Sequence, residues 1–170
     1  MGAFVAPVLS EPSLLNQASR GNTGGFFATP YPMPTHELDF DITKVLPFAQ
    51  SLIPGLHTSN DMRAIGLRRN DELVAAAVYE GFNGHNIWAH LCGVPGRRWM
   101  TREFLQAGFA YPFLVCKVQR ISGYVNDSNH EARRLNEHFG YRVEATLRGA
   151  AYDGGDVLIY VMRREDCKYV

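Results

Sequence analysis

Apolar positions along the chain change their spacing several times, and each change marks an element. Ile42, Val45, Leu46, Ala49, Leu52 and Ile53 fall on one helical stripe; Pro47 predicts a late start or a kink, and Pro54-Gly55 an end. Residues 64–69 and 73–80 read as strands joined by Asn70-Asp71, and residues 87–92 as a third after the turn Gly81-Phe82-Asn83-Gly84. The three predict an antiparallel meander. Residues 99–115 carry a second helical pattern, interrupted near Gly108 and Pro112, and residues 120–125 alternate as another strand.

The C-terminal third is patterned most sharply. Ser128 and Glu131 have the spacing of a capping box, Gly140 stands where a helix ends, and Ala132, Leu135 and Phe139 share a face between them. After the glycine the period shortens: Tyr141, Val143, Ala145 and Leu147 alternate with Arg142, Glu144, Thr146 and Arg148. Asp153-Gly154-Gly155-Asp156 is a turn, and residues 157–162 are apolar throughout, as a central strand requires. The sum is an α/β (α+β) chain, a mixed sheet with helices on its faces.

Residues 1–34 differ in kind. Gly21-Asn22-Thr23-Gly24-Gly25 reads as a hinge and Pro30-Tyr31-Pro32-Met33-Pro34 as an extended path, so this stretch is either a loose tail or an arm docking on another chain through Phe26, Phe27, Tyr31 and Met33. The remaining residues, 35–170, make one domain. With 17 basic and 17 acidic side chains the chain is no generic polyanion binder, and no apolar run is long enough to span a membrane. Cys92, Cys116 and Cys167 lack paired spacing, which predicts a reducing cytoplasm rather than a secreted disulfide scaffold. The six histidines show no metal-ligand spacing, and no phosphate-binding Gly-rich loop or serine elbow is present. The expected metal is none.

Val125-x-x-x-Asn129, Gly140-Tyr141, Glu144, Leu147-Arg148 and Tyr160-x-Met162-Arg163, in this order, resemble the C-terminal half of the GNAT N-acetyltransferases. The resemblance covers roughly residues 35–170 and implies a mostly antiparallel sheet splayed between the fourth and fifth strands, with acetyl-CoA as cofactor. It implies that Leu91, Cys92, Gly93 and Val94 form the strand edge that pairs with the pantetheine arm. The pyrophosphate loop falls on Arg97, Arg98, Trp99, Met100, Thr101 and Arg102, where both family glycines are missing; the three arginines either compensate by charge-assisted bonds or form a solvated helix start. A bacterial and tailed-phage branch with a basic, glycine-poor loop is similar here, including Tyr111-Pro112-Phe113. Asn129 matches a cofactor-contacting position, and Asn136 stands where many relatives carry a proton-donating tyrosine.

Acetyl transfer needs a neutral amine and an acceptor for its proton, and Glu80 and His90 are the candidate catalytic residues. His90 also reads as an edge histidine bonded to backbone, and Glu80 as a solvated turn carboxylate. Tyr124 and Tyr152 become proton donors if they face the cleft and packing residues otherwise. The expected function is acetyl-CoA-dependent transfer to a primary amine, whether a protein N-terminus, a lysine or a small amine, with a homo-oligomer compatible. The rival is a catalytically degenerate GNAT-fold binding protein, such as a phage virion component, docking through its N-terminal arm. No nucleic acid or membrane partner is expected.

Overall fold

The computed structural model describes residues 36–170, so the arm assigned to residues 1–34 lies outside the described residues. Among the described residues seven strands form one sheet in the order β1-β2-β3-β4-β5-β7-β6. They are β1 (His36–Asp39), β2 (Arg63–Arg69), β3 (Glu72–Glu80), β4 (Asn86–Gly93), β5 (Arg120–Asn126), β6 (Arg142–Leu147) and β7 (Val157–Arg163), and every pairing is antiparallel except β4 with β5. The meander β2-β3-β4 forms as its apolar runs predict, and Asn70 and Asp71 both take positive φ (49° and 66°) in the tight turn that short polar residues tolerate. β1, unread in the sequence, extends the meander by four residues.

Helices cover both faces of the centre, which is why β3 is buried without interruption from Val74 to Tyr79 instead of alternating. α1 (Ile42–Leu52) packs Val45, Leu46 and Ala49 with Ala64, Ala76 and Val78 on one face. On the other, α2 (Arg102–Ala110), the π-helical turn Tyr111–Val115 and α3 (His130–Phe139) close over Ile65, Leu67, Ala77, Tyr79, Ile87 and Ile121.

Several boundaries differ from the sequence reading. α1 begins at once because the Asp41 side chain accepts from the Thr43 N–H, and Pro47 is accommodated on the exposed side of the helix. α2 starts at Arg102, not Trp99, with Thr101 as its cap, and runs through Gly108, whose carbonyl accepts from the Tyr79 hydroxyl at 2.6 Å. α3 is capped by Asn129, which accepts from the Ala132 N–H at 3.1 Å, while Ser128 turns to Asp153. Its other end matches the reading: Gly140 takes φ 104° and Tyr141 N–H closes back on the Asn136 carbonyl. β6 is exposed on both faces, with a bulge between Val143 and Ala145.

Candidate active site

The site grows from a seam that stops. β4 and β5 pair through Asn86–Arg120, Ile87–Ile121 and Trp88–Ser122 only, although β4 continues to Gly93 and β5 to Asn126. Past Trp88 the two strands part, leaving facing edges with unpaired backbone groups. Val94 N–H donates to the Val74 carbonyl (2.8 Å). The alternation of an antiparallel ladder therefore turns His90 and Cys92 toward β3, and the N–H and C=O groups of Leu91 and Gly93 into the gap. The closed end is pinned. Arg120 forks onto Glu144 at 2.6 and 3.1 Å and donates to the Ser122 hydroxyl at 3.2 Å; that hydroxyl, fully buried, donates to Asn86 Oδ1 at 2.7 Å.

His90 stands at the opening. The β3–β4 register sets Glu80 opposite Trp88 and Val78 opposite His90, so Glu80 and His90 are diagonal neighbours on the face that α1 covers. Glu80 Oε1 lies 2.7 Å from His90 Nε2, and the imidazole is buried while the carboxylate is partly exposed. An ionised Glu80 holds the proton on Nε2 and leaves Nδ1 as the basic nitrogen. From β5, half-exposed Tyr124 meets the His90 ring edge-on, 5.4 Å between centroids. Burial, and then the charge of Glu80, raise the Tyr124 pKa above the ordinary tyrosine value, so this phenol keeps its proton. Burial lifts the Cys92 thiol to about 11, which leaves it protonated and unreactive at neutral pH.

On the other face the indole of Trp99 lies against Gly93 so closely that a Cβ there would come within 2.4 Å of the ring. Trp99 also meets Phe104 edge-on at 6.5 Å and joins the core. Of the residues expected to bind cofactor, Leu91, Cys92, Gly93, Trp99 and Asn129 line the cleft, whereas Val94, Arg97, Arg98, Met100, Thr101 and Arg102 do not. Arg97 is turned to Glu72 at 2.9 Å; Arg98 and Arg102 are exposed at the start of α2. Asn136 donates to its own helix at the Ala132 carbonyl (2.8 Å). Tyr152, 94% exposed, stands on the rim. The sequence reading did not find the stacking of Trp99 on Gly93, for which an isolated glycine in a strand is the available signal. It named Tyr124 without placing it; strand parity from Ile121 is the signal that sets Tyr124 on the histidine's face.

The cleft is an open one of about 1660 Å³ lined by residues from both faces of the sheet. That exceeds the roughly 300–1,000 Å³ of a single small-ligand pocket. No protein-family model matches the chain, and no curated protein matches it in sequence. Solved structures do. Spermidine N-acetyltransferase from Vibrio cholerae in complex with CoA and spermine superposes with a TM-score of 0.62 at 15% identity, covering 77% of this chain and 96% of that one. The dodecameric form of the Vibrio cholerae enzyme gives 0.63 at 16% identity, over 76% and 94%. This is the GNAT fold. At such identity the likeness shows the fold, and chemistry resides in the site. Among the described residues no helix is long and apolar enough to cross a membrane, and no cluster of three or more His, Cys, Asp or Glu can hold a metal ion.

Proposed function

We propose that this chain is an acetyl-CoA-dependent N-acetyltransferase that passes the acetyl group to a primary amine by direct attack. One observation carries the reading: the β4–β5 ladder ends at Trp88–Ser122, and the Glu80–His90 pair and Tyr124 stand at the place where it opens. The residues present fit the cofactor in part. Leu91 and Gly93 offer the unpaired strand edge a pantetheine arm requires, whereas Arg98, in the loop before α2, and Arg102, its first residue, stay outside the cleft lining. Bound acetyl-CoA supplies the activated thioester carbonyl. With it bound, the open N–H of Leu91 would face negative charge developing on that oxygen, His90 Nδ1 would take the amine's proton directly or through water, and Tyr124 would donate a proton to the leaving sulfur. Glu80 orients the imidazole through its 2.7 Å contact with Nε2.

The intact Glu80–His90 pair favours the enzyme over a degenerate binding protein, because a fold kept for docking alone has no use for a carboxylate-oriented imidazole in the cleft. The solved relatives are acetyltransferases, one holding CoA with a polyamine and one a dodecamer, which agrees with a CoA ligand, an amine acceptor and self-association here. The test is a thiol-release assay across primary amines beside calorimetric titration with acetyl-CoA. Cofactor binding with amine-dependent release supports the reading. Absence of binding at millimolar cofactor refutes it.

A further inference from the structure

The two halves of the cleft differ in what they offer a second ligand. On the face that α1 covers, the register puts Tyr124 opposite Ile159, Ile159 opposite Ala145, and Val157 opposite Leu147, so Tyr124, Ile159 and Leu147 form one apolar floor in front of His90. Leu52, Ile53 and Pro54, from the end of α1, supply the facing wall. Of the seven large apolar side chains that the described residues leave exposed, three, Tyr124, Leu147 and Tyr152, line this one cleft, and such clustering marks a ligand surface.

Counter-charge is scarce there. Among the described residues the one carboxylate lining the cleft is Glu131, in the first turn of α3 on the other face, where the helix terminus favours it. Glu80 bonds His90 at 2.7 Å and its charge is felt at Tyr124, so it serves the reacting end of the floor. Residues 1–35 contain a single acidic residue, Glu11. A polyamine that gives up one proton to react keeps further ammonium groups, and each would lie against apolar side chains without a partner.

Resting on the acetyltransferase reading, we infer that the acceptor is a primary amine borne on an apolar or aromatic group with no second positive charge. A free arylalkylamine and an N-terminal apolar residue share that chemistry. The experiment compares kcat/KM for 2-phenylethylamine, a short peptide with N-terminal Phe, and spermidine, with acetyl-CoA binding followed by calorimetry. The better of the first two should exceed spermidine by roughly tenfold or more, and whichever it is identifies the source. The exposed-site variant Leu147→Glu, which adds a carboxylate to the floor, should narrow the gap. Spermidine turned over as well as or better than both, or a gap that Leu147→Glu leaves unchanged, would overturn the inference alone. Bound cofactor with no amine turned over would overturn the acetyltransferase reading beneath it.

Discussion

The two ends of the β4–β5 seam begin with the same material and finish differently. At Asn86–Trp88 the strands are paired, and Arg120, Glu144, Ser122 and Asn86 fasten them with side-chain bonds. A few residues later the ladder is gone, backbone groups face a gap, and the polar side chains are aimed into a cleft. An open edge beside a central strand is costly unless a ligand or water satisfies it. The closed end is held by side-chain bonds that the open end lacks.

The sharpest way to break the contrast is at the open end. His90→Ala should lower kcat by roughly 10²–10⁴-fold, the usual worth of a positioned acid or base, while calorimetry shows acetyl-CoA affinity little changed. Equal loss in binding and turnover would make His90 a packing residue. Gly93→Ala forces a Cβ to within 2.4 Å of the Trp99 indole. Such overpacking should cost about 1–3 kcal/mol in urea unfolding, and it should weaken cofactor binding because the displaced ring lines the cleft. Tyr124→Phe removes the phenolic proton and keeps the ring. Since a thiol of pKa about 8.5 leaves tolerably without help, the loss in kcat should be only roughly tenfold.

The closed end predicts a smaller, pH-dependent effect. The hydrogen bond from Arg120, helped by its charge, holds the Glu144 carboxyl below its usual 4.5. A carboxyl lowered in the folded state contributes stability that is complete above its unfolded value and is lost as pH falls toward the folded one. The urea midpoint of the native protein should therefore drop more steeply below about pH 4.5 than that of Glu144→Gln, with the two curves parallel at neutral pH. Parallel curves throughout would mean that the pair does not pin the seam.

Much of this architecture was legible in the sequence because it follows from local rules. The meander, the end of α3 at Gly140 and the apolar β7 all rest on period, turn chemistry and a left-handed glycine. The N-cap of α3 was misread by one residue because Ser128 and Asn129 are both capping types, and Ser128 is drawn off by Asp153. The start of α2 was placed three residues early because Trp99 looks like the first apolar step of a helix, whereas it is a loop residue stacked on a strand. Glu80 and His90 were recognisable as suitable chemistry. That they touch depends on a strand register which no local pattern states. Tyr124 gained its place from the same register, and Arg97 lies outside the cleft lining beside a partner equally invisible in sequence, Glu72.

The central claim is that the edge of β4 beyond Trp88 receives the cofactor. Residue-resolved amide exchange of Leu91 and Gly93, with and without saturating acetyl-CoA, tests it most directly. Protection of both amides on binding, with Asn86–Trp88 unchanged, is the predicted result; saturable binding that leaves Leu91 and Gly93 exchanging as before would contradict it.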